Sequence, residues 1–170
     1  MNLKDKIRVI SDFPKEGIRF KDITTLLKDG QALRETIEQL ALLAEEMQPD
    51  IVVGPEARGF VIGTPLAYHM GKGFVPIRKK GKLPCETLKG EYKLEYGTDA
   101  LEIHKDALEP GQKVVIADDL LATGGTIETC INLVEQAGAQ VVGVIFLIEL
   151  TYLSGREVLH DYAVKSLIKF

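Results

Sequence analysis

Val114–Thr126 reads VVIADDLLATGGT, and the fold follows from it. Val114–Ala117 is a continuous apolar run with the length and β-branching of a strand buried on both faces. Asp118 and Asp119 stand where that strand should end. Small residues follow, Ala122-Thr123-Gly124-Gly125-Thr126, and then an amphipathic helix with Ile127, Ile131 and Val134 on one side. In an open α/β sheet, ligands bind beyond the carboxyl ends of strands, so a site is expected here. The two glycines let backbone N–H groups turn inward, Thr123 and Thr126 add hydroxyls, and the helix start adds its positive dipole end. Together these make a phosphate cradle.

The cradle is neither a GxxxxGK[ST] loop nor a GxGxxG fingerprint, and no lysine follows its glycines. It suits one phosphate monoester better than a polyphosphate. The adjacent carboxylates can accept hydrogen bonds from a vicinal diol, so the stretch proposes a ribose 5-phosphate ligand. The alternative is an ordinary βα turn with acidic capping residues. The same thirteen residues resemble the signature of the type I phosphoribosyltransferases. That resemblance implies binding of 5-phosphoribosyl 1-pyrophosphate, with Asp118 and Asp119 on the ribose hydroxyls and Ala122, Thr123, Gly124, Gly125 and Thr126 on the 5-phosphate.

Composition bounds the reading. The chain has 170 residues, 45% hydrophobic and 27% charged, as expected of one soluble globular domain with a full core. A net charge of −4 gives no global reason to expect nucleic acid or an anionic membrane as partner. No apolar run approaches membrane-spanning length, and MNLKDKIRVI lacks a signal-peptide core. Cys85 and Cys130 form no CxxC and read as unpaired thiols of a reducing cytoplasm. Charge is unevenly placed: Lys72–Lys93 holds seven basic and two acidic residues, a local +5. With an anionic ligand already proposed, Arg78, Lys79 and Lys82 become candidates to meet it, against the plainer reading of a solvated face.

Residues 1–12 read as a short helix with Leu3, Ile7 and Ile10 on one side. Phe13–Thr24, FPKEGIRFKDIT, reads as a turn because of Pro14 and Gly17. Leu33, Ile37, Leu40, Ala44 and Met47 recur at helical spacing over 31–47, with Asp29 as a possible cap. Ile51–Val53 reads as a short buried strand running into Gly54-Pro55-Glu56-Ala57-Arg58-Gly59-Phe60. A helix follows, entered or kinked at Pro65 and closed by Gly71. Phe74–Lys79 reads as a strand near an edge, because Pro76 cannot donate to a ladder. Across 80–106 the spacing predicts a mobile hairpin, with Gly97-Thr98-Asp99 as its turn and a lid's position near the site. Val141–Leu150 and Tyr162–Ile168 read as strands; Cys130 reads as core, and Glu149 as solvent-exposed.

FPKEGIRFKDIT resembles the N-terminal motif of the adenine phosphoribosyltransferases, and LEYGTDALEIHKDAL resembles their flexible catalytic loop. The resemblance covers 13–24, 54–60 and 78–126, in the family's order. It implies that Phe20 stacks on adenine, with Ile18, Arg19 and Lys21 contributing main-chain contacts. It also implies that Arg58 is a pyrophosphate ligand with a cis peptide nearby, against the plainer reading of a structural ion-pair partner, and that Glu95 is the acid/base residue, with Tyr96 beside it on the lid. The expected fold is α/β: a parallel sheet with helices on both faces and a small hood, residues 1–30, to which the hairpin adds. The expected activity is phosphoribosyl transfer to adenine in purine salvage, with Mg²⁺ entering on the pyrophosphate and a homodimer as the assembly. Arg58, Arg78, Lys79 and Lys82 would stabilise the leaving group. Two other readings share the cradle: an enzyme acting on a 6-oxopurine, and a non-catalytic sensor of phosphoribosyl pyrophosphate. The two family motifs oppose the first. The second needs a nucleic-acid surface for which the chain has neither spare length nor basic balance.

Overall fold

The computed structural model describes residues 1–94 and 97–170, with strands β1 (Arg8–Ser11), β2 (Arg19–Asp22), β3 (Ile51–Pro55), β4 (Gly73–Lys79), β5 (Thr87–Leu94), β6 (Gly97–His104), β7 (Lys113–Leu121), β8 (Gln140–Glu149) and β9 (Val164–Lys169). The α-helices are α1 (Thr24–Leu27), α2 (Gly30–Glu45), α3 (Arg58–His69), α4 (Gly125–Gln136) and α5 (Gly155–Val158). β1 and β2 form a separate antiparallel ribbon. The others make one seven-stranded sheet in the order β5-β6-β4-β3-β7-β8-β9. The run from β4 through β9 in that order is parallel, and β6 and β5 extend it antiparallel. The sheet is parallel over five strands, as expected, and becomes mixed only where the hairpin joins it at one edge.

Helices cover both faces because β7 and β8 are apolar on both. Val115 and Ala117 pack in one core cluster with Leu40 of α2 and Ile62 and Leu66 of α3. Val114, Ile116 and Phe146 pack in the other with Ile127, Ile131 and Val134 of α4. The expected helix over 31–47 is α2, and Asp29 caps it by accepting from the Gln31 and Ala32 amides. Pro65 lies inside α3, and Gly71 closes it with φ +65°. β4 is interior in strand order, yet Pro76 is tolerated. Its own partner is Gly54 on β3, and β6 pairs β4 only at Arg78 and Lys79.

Two further expectations fail locally. Residues 1–12 are not one helix: Leu3–Lys6 makes a single 3-10 turn, and Arg8–Ser11 is a strand. Val9 and Ile10 favour extended backbone, and pairing with Phe20 and Lys21 decides it, while Leu3 and Ile7 still reach the core. Gly97-Thr98-Asp99 is not a turn either, because these residues pair with Leu94, Lys93 and Tyr92 in β5. Asp99 accepts from the Tyr92 hydroxyl at 3.1 Å, which fixes that register. The hairpin is laid along α4: a Cβ on Gly90 would sit 2.8 Å from Thr129 Cγ2, and Leu101 and Ile103 of β6 are buried.

The ribbon is tied down by charge. Asp22 accepts from the Arg8 guanidinium across β1–β2, and from the Thr24 amide and hydroxyl at the start of α1. The Arg8 hydrogen bond first, then those from Thr24, pull its carboxyl down to about 2. A depressed folded value means that the carboxylate stabilises the fold above the unfolded value of 3.8, and that this is lost as pH falls toward 2. Asp22→Asn is accordingly expected to lower the thermal midpoint at pH 7, with the gap from the parent narrowing steadily below pH 4; a gap constant with pH would contradict this. Gly54 in β3 is hemmed in by backbone. A Cβ there would lie 3.0 Å from the Ala117 carbonyl oxygen and 3.1 Å from that of Gly59. Gly54→Ala is expected to cost about 1–3 kcal/mol in chemical denaturation, because neither neighbour can yield without moving a strand or α3.

Candidate active site

The site lies where the strand order reverses. From β3 the chain moves outward to β4 on one side; from β7 it moves outward to β8 and β9 on the other. β7 pairs β3 only through Val114–Ile116, whereas it pairs β8 as far as Leu121. Pairing between the two central strands ends at Ile116, and an α/β sheet opens a crevice at such a switch point. A cavity of about 240 Å³ occupies it, lined by Glu56, Arg58, Asp118, Asp119 and all of Ala122–Thr126. β7 runs further than expected, carrying both carboxylates within the strand, because pairing with β8 persists to Glu149.

The cradle is built from backbone. Gly124 takes φ +91°, a conformation that favours glycine, and aims the chain into α4 at Gly125. Among the described residues no side chain caps α4 at Gly124, so its first-turn amides are left for a ligand. Thr126 lies in that first turn.

Across the cavity, α3 begins at Arg58, just after the cis Glu56–Ala57 peptide that the resemblance implied. Arg58 Nε donates to Asp119 Oδ2 at 2.5 Å. The Asp119 hydrogen bond and charge hold the guanidinium above its ordinary value, with Asp118 adding to the effect. Burial, and next the adjacent Asp119 carboxylate, push the Asp118 carboxyl well above the usual range. Asp118 fits against α3 only because residue 59 is glycine: a Cβ there would meet Pro55 Cδ at 2.9 Å and Asp118 Oδ1 at 3.1 Å.

The other predicted residues are not gathered at this cavity. Arg78, Lys79 and Lys82 do not line it, but Glu56 joins their segment to it. Glu56 Oε1 accepts from Arg78 Nε at 3.3 Å and from the Lys79 amide at 2.7 Å. Arg78 Nη1 also reaches the Lys82 carbonyl at 3.4 Å, and Lys79 Nζ stands 3.9 Å from Asp99. Glu56 is the residue that sequence reasoning missed; its partners lie more than twenty positions away, and nothing local marks it. Ile18, Arg19, Phe20 and Lys21 also lie outside the cavity lining. Phe20 is half-buried, edge-on to Phe13 with ring centroids 5.2 Å apart, and Ile18 and Arg19 are exposed. The Lys21 side chain turns inward, its Nζ 4.6 Å from the Phe170 ring centroid, and burial, then Arg19 and Lys4, lower its basicity. Only its main chain remains for a ligand. Glu95 and Tyr96 lie outside the described residues.

Cys130 is fully buried in α4, as expected of core, and burial pushes its thiol up. Glu149 overturns its expectation. It is buried at the end of β8, accepting from Arg156 Nε at 3.0 Å, from Arg156 Nη2 at 2.6 Å and from the Ser166 hydroxyl.

Known proteins share this fold. The family described as "Phosphoribosyl transferase domain" matches residues 21–169. An adenine phosphoribosyltransferase of Brevibacillus brevis is 63% identical over the full length of both chains. The crystal structure of adenine phosphoribosyltransferase from Thermoanaerobacter pseudethanolicus superposes with a TM-score of 0.96 at 60% identity, covering 99% of this chain and 98% of that one. The Saccharomyces cerevisiae enzyme, complexed with an imino-altritol bisphosphate and adenine, gives a TM-score of 0.93 at 40% identity over 96% and 95% of the two chains. With its cradle, paired carboxylates and opposing arginine in one crevice, the chain belongs to the phosphoribosyltransferase family and, within it, to the adenine phosphoribosyltransferases.

Proposed function

We infer that the chain transfers phosphoribosyl from 5-phospho-α-D-ribose 1-diphosphate to adenine, giving AMP and pyrophosphate in purine salvage. The observation that carries this reading is the single crevice holding an uncapped helix start, two adjacent carboxylates and Arg58. The amides of the cradle take the 5-phosphate. Asp118 and Asp119 take the ribose hydroxyls and temper the positive charge that grows on the sugar as its bond to pyrophosphate breaks. Arg58 spends only Nε on Asp119, which leaves its Nη donors for the pyrophosphate oxygens. Arg78, Lys79 and Lys82, gathered through Glu56, complete the positive wall. The ring nitrogen of adenine attacks the sugar carbon and sheds a proton, for which Glu95 is the proposed acceptor. Phe20 is the proposed stacking partner, with main-chain groups of Ile18, Arg19 and Lys21 reading the base edge.

Mg²⁺ fits this site as an ion carried in on the pyrophosphate. Among the described residues no cluster of three or more His, Cys, Asp or Glu side chains is placed to hold a metal alone, so phosphate oxygens and water would supply most of its ligands. When bound it neutralises charge on the leaving group. The same reading takes 1–170 as one domain whose hairpin closes over the site, and assembles it as a homodimer. It places the protein in the cytoplasm, supported by two free cysteines. Among the described residues no helix is long and apolar enough to cross a membrane.

Pyrophosphate release should occur with adenine and fail with hypoxanthine, guanine, xanthine, uracil and orotate; release with a 6-oxopurine would remove the assignment of the hood residues. Glu95→Gln should lower kcat by about 10²-fold or more with little change in phosphoribosyl pyrophosphate affinity, and an unchanged kcat would exclude Glu95. Arg58→Met should raise the KM for phosphoribosyl pyrophosphate about tenfold or more through loss of charge-assisted bonds, while that for adenine stays within about twofold.

A further inference from the structure

The loop that forms the cradle rests, on the side away from the cavity, against α5. A Cβ on Gly155 would lie 2.3 Å from the Ala122 carbonyl oxygen and 2.9 Å from Leu121 Cδ1. A Cβ on Gly124 would lie 2.9 Å from the Gly155 carbonyl oxygen and 3.2 Å from Val158 Cβ. Loop and helix therefore meet backbone to backbone, with glycine on each side, and neither can shift without moving the other. α5 is a single turn, too short to hold its place through its own hydrogen bonds.

Arg156 anchors it. Nε and Nη2 bind the two oxygens of Glu149, and Nη1 donates to the Val164 carbonyl at 2.6 Å. Glu149 ends β8 directly opposite Leu121, the last residue of β7, and Ser166 of β9 holds its Oε2. None of Glu149, Gly155 and Arg156 lines the cavity. Glu149 is nonetheless buried, which is costly for a carboxylate with no structural task.

We propose that Glu149, Arg156 and Gly155 are positioning residues for the 5-phosphate cradle: the ion pair locks α5 to the sheet, and α5 sets the height of the Ala122–Gly124 backbone. This rests on the reading of Ala122–Thr126 as the phosphate site. It separates the two substrates, because the network touches the phosphate loop and no part of the proposed adenine wall. A displaced cradle weakens phosphoribosyl pyrophosphate binding, and misplacement by about 1 Å is enough to cost up to 10²-fold.

The test is steady-state kinetics on Gly155→Ala, which leaves the ion pair in place, and on Glu149→Gln and Arg156→Lys, which alter it conservatively. Thr126→Ala serves as the variant within the cradle, and thermal midpoints are recorded for all four. The expected result is a KM for phosphoribosyl pyrophosphate raised about tenfold in the Gly155 and Glu149 variants, a smaller rise for Arg156→Lys, and a KM for adenine within about twofold of the parent. A lowered thermal midpoint with unchanged KM values would reduce the network to a structural tie and overturn the proposal. If either ion-pair variant fails to fold, Gly155→Ala alone decides. Should Thr126→Ala leave the phosphoribosyl pyrophosphate KM unchanged, the phosphate site itself is misassigned and the proposal falls with it. A rise in Thr126→Ala without one in Gly155→Ala overturns the proposal alone.

Discussion

The end of β3–β7 pairing at Ile116 is the constraint on which the rest of the structure depends. Two adjacent strands that stop pairing expose backbone and open a gap, and both must be met by something polar. Here the gap receives the Asp118–Asp119 pair from one strand and Arg58 from the helix that follows the other. Two carboxylates side by side in a half-buried crevice repel each other and resist losing water. Arg58 offsets that by binding Asp119 directly, while Asp118 bears the cost as a raised pKa. A crevice built this way is polarised before any ligand arrives: its carboxylates call for hydroxyl donors, and its cradle amides and the Arg58 guanidinium call for negative groups, which a sugar phosphate supplies together.

Backbone proximity does the rest. Gly54 lets β3 approach the Ala117 carbonyl, Gly59 lets Asp118 sit against α3, and the Gly124–Gly155 contact seats the cradle loop on α5. These glycines serve different ends, but each removes a side chain where two backbones or a backbone and a carboxylate must come close. Glu56 and Glu149 act in parallel on opposite flanks. The first draws the basic end of β4 toward the crevice, and the second locks α5 beneath the cradle.

The central strand, the cradle and the acidic pair were legible because their signals are local: an apolar run, two acids, two glycines and a helix period within one short stretch. α2 and its Asp29 cap were legible for the same reason. Long-range pairing was not. The hairpin register depends on Tyr92 meeting Asp99, so the position of the turn was misread. Arg8–Ser11 became a strand because Phe20 and Lys21 offered it a partner, although its apolar spacing also suits a helix. Glu56 passed unnoticed and Glu149 was read as solvent-exposed, because an acid at a strand end looks solvated until its arginine partner is placed beside it. Arg156, seven residues beyond Glu149, lies across a turn that sequence periodicity does not describe.

On the proposed function, the Ala122–Thr126 backbone and the Asp118–Asp119 pair together hold a ribose 5-phosphate. A crystal structure of the protein with AMP tests it most directly. The phosphate is expected on the first-turn amides of α4 with the Thr126 hydroxyl, and the ribose 2- and 3-hydroxyls within hydrogen-bond distance of the two carboxylates. AMP with its phosphate elsewhere, or with its ribose turned away from Asp118 and Asp119, would contradict it.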